Sequence, residues 1–128
     1  MTPTTPNPSR PVDWYLAHGV DETAARYFAN GPRRIIAVAP APGYALLLDF
    51  DNGERRRLDC TPYFNPGSAF EALRDPAAFA RVFLDESGNP AWDIDPAVDS
   101  SVHWNNRIDL CKDNCYLRST PLAPPETP

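Results

Sequence analysis

The clearest pattern of apolar and polar positions runs from Gly43 to Cys60, GYALLLDFDNGERRRLDC. An apolar strand, a turn signal at Asn52-Gly53 and a charged return strand predict a β-hairpin. Two loops compete for it. A two-residue loop would pair Phe50 with Arg55 and Leu48 with Arg57, setting arginines opposite the most apolar face. A three-residue loop, Asp51-Asn52-Gly53, puts Gly53 in the left-handed position of a type I turn with a bulge. It pairs Leu46 with Leu58, Tyr44 with Cys60 and Asp49 with Arg55. A one-residue slip turns every side chain to the other face, so the register that keeps one face apolar is selected. Tyr44, Leu46, Leu48, Phe50, Leu58 and Cys60 then line the core. Arg56 shares that face near its open end, where its charged tip is expected to reach water.

Upstream, Asp13 and Asp21 read as helix N-caps. The first helix, Trp14 to His18, ends at Gly19. The second, Glu22 to Ala29, ends at Asn30-Gly31-Pro32 and carries Ala24, Tyr27 and Phe28 on its apolar face. Arg34 to Pro40 reads as a strand, with Pro40 and Pro42 limiting its pairing. Beyond the hairpin, Ser68 and Glu71 form a capping box that opens a short helix burying Phe70 and Leu73. Asp75-Pro76 starts another helical turn anchored by Phe79.

A strand is expected at Arg81 to Asp85, a turn at Glu86 to Asn89, and a return strand at Ala91 to Ile94. Ser101 to Trp104 alternates and predicts one more strand, and Asp109 is placed to cap a last helix, Leu110 to Leu117. The order implies an α+β fold: a mainly antiparallel sheet of about five strands, short helices on one face and extra N-terminal helices.

Composition trims this picture. The chain has 128 residues, enough for one core, and sixteen prolines. Eight of these fall in the two ends, residues 1–11 and 119–128, which are expected to be disordered Pro-rich tails. A single domain over 12–118 remains, with a helical extension at 12–32 and a core at 33–118. A net charge of −5 argues against general nucleic-acid or acidic-membrane binding. Eleven of the twelve basic residues are arginine, but Arg55-Arg56-Arg57 alternates across a strand and never presents three charges on one face. No signal peptide or membrane-length apolar run is present, and three cysteines fit reduced thiols in the cytoplasm.

The order of pieces resembles a bacterial family, domain of unknown function 2442. The carriers are YALLLDFDNGERRRLDC with an apolar strand before it, SAFEALRDPAAF, ARVFLD and a closing VHWNNRIDLCKDNCYL. Trp104, Asn105, Asn106, Asp109, Leu110 and Tyr116 fill the family's ending of Trp, turn residues, an acidic residue with Leu or Ile, and a Tyr-containing helix. The resemblance covers Arg34 to Arg118. The segment from Ile94 to Ser101 is longer than the family's usual hairpin, and the helices of Val12 to Pro32 are additional. The resemblance implies an α+β fold and, for some relatives, association with small toxin-like proteins or DNA-binding helices. No helix-turn-helix pattern follows Leu117, so DNA binding is not carried over.

Candidate chemistry is sparse. Cys111 and Cys115 would share a helix face and could reach a metal with Cys60 and His103. Yet no Cys-x-x-Cys knuckle is present and Cys60 belongs to the core, so no metal or cofactor is expected. His103 as an acid or base would need a carboxylate partner, with Asp93, Asp95 and Asp99 nearest in sequence. Ser100 and Ser101 lie in no nucleophile elbow. Asp93, Asp95 and Asp99 lack the glycine and closing Glu of an EF-hand loop. Trp92 and Trp104 share parity with Ile94 and Val102, which predicts core packing, with an exposed aromatic patch as the competitor.

By subtraction, the expectation is a noncatalytic protein-binding or regulatory module, an accessory of a small toxin-like partner being one form of it. The expected patch is His103, Trp104, Asn105, Asn106, Arg107 and Asp109, with Arg107 as the bidentate donor to a partner's carboxylate. The alternative is a small enzyme or ligand-binding domain using the loop from His103 to Asp109.

Overall fold

A computed structural model describes residues 10–122. The chain divides into two compact units, Met1–Arg33 and Arg34–Pro128. Of the expected tails over 1–11 and 119–128, residues 1–9 and 123–128 lie outside the described residues.

In the first unit, α1 (Val12–Ala17) starts two residues earlier than expected, with Pro11 as N-cap. Asp13 therefore sits inside the first turn, where its charge still complements the exposed N–H groups. Gly19, at φ 86°, ends the helix. In α2 (Glu22–Ala29) the Asp21 carboxylate accepts from the Ala24 N–H at 2.8 Å. Its buried residues are Ala25 and Tyr27, so the apolar face is rotated by a residue from the expected Ala24–Tyr27–Phe28 stripe.

The second unit is α+β with two antiparallel sheets. The first has the order β1 (Ile35–Ala41), β2 (Ala45–Phe50), β3 (Arg55–Asp59) and β7 (Thr120–Pro121). The central hairpin takes the three-residue loop. Leu46 pairs with Leu58 and Asp49 with Arg55, the Cys60 N–H donates to the Tyr44 carbonyl, and Gly53 has φ 89°. β1 lies at a sheet edge, the position where Pro40 removes no needed ladder donor. Thr120 and Pro121 pair with Arg57 and Arg56, so the sheet continues past residue 118.

Arg56 departs from expectation. Its side chain is only 12% exposed rather than reaching water with its tip. The guanidinium pairs with Glu54 at 2.7 Å and donates to the Ser119 hydroxyl and carbonyl at 2.7 and 2.8 Å. It also lies over the Tyr116 ring at 4.3 Å. Full pairing makes a buried charge tolerable here and ties the C-terminal strand to the hairpin.

Between the sheets run two 3-10 segments, Thr61–Tyr63 and Ala69–Arg74, and α3 (Pro76–Phe79). The expected capping box between Ser68 and Glu71 does not form. Glu71 accepts from the Gly67 N–H at 3.1 Å, whereas the Ser68 hydroxyl turns to the Tyr63 carbonyl at 3.0 Å. Asp75 caps α3 as expected, accepting from the Ala77 N–H.

The second sheet has the order β4 (Phe83–Leu84), β5 (Pro90–Asp93) and β6 (Arg107–Asp109). Trp92 is buried, its Nε1–H donating to the Phe79 carbonyl at 2.8 Å. Together with Leu46, Leu48, Phe50, Leu58, Phe79 and others it forms one continuous core.

Two expectations fail in this sheet. Residues Ser101 to Trp104 are not a strand. Val102 and His103 N–H groups turn back to the Asp99 carbonyl, and the Asp99 carboxylate takes the Ser101 N–H at 2.9 Å. These local bonds compete with a ladder and win. The third strand is instead Arg107–Asp109, where Ile108 faces Trp92 in register. Asp109 therefore belongs to β6 rather than capping the last helix. α4 (Lys112–Arg118) starts after Cys111, with the Lys112 N–H held by Asn89 Oδ1 at 3.0 Å. No helix among the described residues is long and apolar enough to cross a membrane.

Candidate functional site

The expected patch lies at the end of the loop joining β5 to β6, residues 94–106. Asp95-Pro96 and Asp99-Ser100-Ser101 break the chain into successive turns. The Asp95 carboxylate accepts from the Ala97 N–H at 2.9 Å, and Asp99 accepts from the Ser101 N–H and hydroxyl. Those Ser101 hydrogen bonds hold the Asp99 carboxyl below its ordinary range against the opposing effect of burial.

Asn106 closes the loop. Its side-chain oxygen accepts from the Asp95 N–H at 3.0 Å, and its amide donates to the Asp95 carbonyl at 3.0 Å, the Val98 carbonyl at 3.3 Å and Ser100 Oγ at 2.9 Å. Its own carbonyl takes the Ile94 N–H at 2.8 Å. One buried amide thus holds both limbs of the loop, and its role is internal rather than outward.

Arg107 is also engaged within the molecule. Its Nε donates to Asp93 Oδ1 at 2.8 Å across the β5–β6 ladder, Glu86 lies 3.6 Å away, and the guanidinium covers Phe83 at 4.9 Å. The Arg107 hydrogen bond holds the Asp93 carboxyl below its usual range. Burial opposes this and a Ser100 hydrogen bond supports it. The planar fork expected to greet a partner's carboxylate is already occupied by Asp93. Asp109 is exposed on β6, paired through its backbone with Ala91.

What points outward is Trp104, 84% exposed, with Val102 at 68% two residues before it. Strand parity would turn both into the core, as it does Trp92; for Trp104 the competing exposed patch is what forms. His103 and Asn105 are exposed beside them, and Val98, His103, Asn105 and Asn106 line a shallow hollow of about 280 Å³. Among the described residues no carboxylate hydrogen-bonds the His103 ring, so it lacks the partner an acid or base would need. A signal for the outward turn was present in sequence: Asp99 two residues before Ser101, the spacing of an Asx turn.

The cysteines do not converge with His103. Cys60 and Cys115 are buried, Cys111 is exposed, and all three are free thiols. Burial, with Asp59 adding to it, pushes the Cys60 thiol up to about 12; burial and then the neighbouring Cys60 do the same for Cys115. Among the described residues no group of three or more His, Cys, Asp or Glu is placed to hold a metal ion.

Two further hollows lie elsewhere in the second unit. One, of about 330 Å³, is apolar and lined by Pro40, Pro42, Tyr44, Pro76 and Phe79. Tyr44 borders it in a left-handed conformation at φ 57°, held by its hydroxyl bond to the Arg74 carbonyl and by edge contacts with Phe64 and Phe79. The other, of about 390 Å³, lies among Arg34, Leu84, Glu86 and Lys112.

A family model described as "Protein of unknown function (DUF2442)" matches residues 35–120. No curated protein and no solved structure matches the chain.

Proposed function

The chain belongs to the DUF2442 family, and from that premise we propose that it is a noncatalytic protein-binding module of the cytoplasm that docks through Val102 and Trp104. The observation that carries the reading is an indole 84% exposed on a loop that Asn106 clamps from within. A large aromatic side chain left in water on a preorganised support is what a docking anchor requires. Its burial by a partner removes apolar area from water, and little ordering cost opposes it.

The elements around it support binding over catalysis. Arg107, Asp93, Asp99 and Asn106 are spent on holding the loop in shape, and His103 has no acid–base companion among the described residues. Free thiols at Cys60, Cys111 and Cys115 support a reducing compartment.

The test is affinity capture from the cell of origin with wild-type and Trp104→Ala baits, quantified side by side. The reading expects a specific prey with the first and at least tenfold less with the second, on the scale of a hot-spot truncation of ~2 kcal/mol. Equal capture by both baits would remove Trp104 as the anchor.

A further inference from the structure

We propose that the Val102–Trp104 surface receives a cationic side chain, arginine or lysine, presented by a basic protein partner. This rests on the docking reading above and adds the chemistry of what docks.

The first support is the state of the indole itself. Other aromatic rings among the described residues carry a guanidinium of their own: Arg10 lies 4.6 Å over Trp14, Arg56 4.3 Å over Tyr116, and Arg107 4.9 Å over Phe83. Trp104 is the most exposed of the large apolar side chains, and among the described residues neither a ring nor a cation stacks on it. Tryptophan is the best of the aromatic faces for a cation, and a guanidinium or ammonium stem also covers apolar surface, which Val102 extends here.

The second support is charge. From Asp93 to Asp109 the chain holds four aspartates and one arginine. Arg107, the arginine, is committed to Asp93 and lies near Glu86. Asp95, Asp99 and Asp109 are exposed, and no ion pair links any of them to a cation among the described residues. The segment that carries the open indole is therefore acidic, within a chain of net charge −5. An acidic or phosphorylated partner would meet like charge there, whereas a basic one is steered toward it.

The test uses the full chain labelled with nitrogen-15 and three capped peptides, Gly-Leu-X-Leu-Gly with X as arginine, citrulline or glutamate. The indole N–H signals report binding residue by residue, with Trp104→Phe assigning the one that matters. The arginine peptide is expected to shift the Trp104 signal and leave that of Trp92 in place, with the citrulline and glutamate peptides binding at least about fivefold more weakly. The doubly substituted Asp95→Asn, Asp99→Asn protein keeps an oxygen to cap each turn. It is expected to bind the arginine peptide at least about threefold more weakly, and added salt should do the same. Equal shifts of Trp104 by all three peptides would overturn the charge inference while leaving the docking reading intact. No shift of Trp104 by the arginine peptide would also overturn it. The docking reading would then stand or fall separately, on capture by the Trp104→Ala bait.

Discussion

Arg107 and Asp93 stand opposite each other in the β5–β6 ladder, the guanidinium Nε donating to the carboxylate at 2.8 Å. Both side chains keep about a third of their exposure, so solvent screens the pair. Arg107→Ala is expected to cost roughly 1 kcal/mol of stability, measured by urea unfolding. Partner capture should fall no further than that loss explains. A stability unchanged by the substitution, together with a tenfold loss of capture, would return Arg107 to the role of anchor.

The same pair sets a pH dependence. The carboxyls of Asp49 and Asp93 are held low by hydrogen bonds from Arg55 and Arg107, with burial opposing in each case. For Glu54, burial acts upward first, but hydrogen bonds from Tyr116, Arg56 and Asn52 outweigh it and the result is lowered. A carboxyl lowered on folding contributes stability above its unfolded value and loses it as pH falls through the folded value. The urea midpoint should therefore stay level from neutral pH to about 5 and decline below about 4. Arg107→Ala should make that decline shallower. An acid limb identical in wild type and variant would show that Asp93 is not held by Arg107.

Leu46 and Leu47 separate the two faces of the central strand. Leu46 is fully buried opposite Leu58, whereas Leu47 is half-buried opposite Arg57. Leu46→Ala is expected to destabilise by roughly 2–4 kcal/mol, and Leu47→Ala by clearly less. Equal losses in a urea titration would reject the one-sided core.

The hairpin was legible because three local signals agreed: Asn52-Gly53 for the turn, the apolar face for the register, and Asp49 opposite Arg55 for the pairing. The loop from Ile94 to Asn106 was not, because its apolar residues fall on strand parity while its aspartates favour turns. Periodicity alone placed Val102 and Trp104 inside. The Asx bonds of Asp95 and Asp99 and the long-range clamp of Asn106 decide the matter, and the last of these links residues eleven positions apart. Arg56 departs from its sequence expectation for a related reason. Its partner Ser119 lies 63 positions away, at a strand that only the folded chain brings to the hairpin.

Thiol reactivity offers an independent check of the core. Cys111 is exposed, while burial pushes the thiols of Cys60 and Cys115 up to about 12. At pH 8 a thiol reagent should modify Cys111 alone in the folded protein, the other two reacting only as the chain unfolds. Rapid modification of Cys115 in native buffer would contradict its placement under the sheet. A chelator should leave the melting temperature unchanged, since a metal coupled to folding would lower it on removal.

The most direct test of the account is a hydrogen-exchange footprint of the protein with its captured partner. New protection is predicted over residues 98–105, around the exposed indole, with the exposed edge strand Ile35–Ala41 and the Pro42–Pro76 hollow unchanged. Protection confined to that edge or that hollow, with 98–105 exchanging as in the free chain, would contradict it.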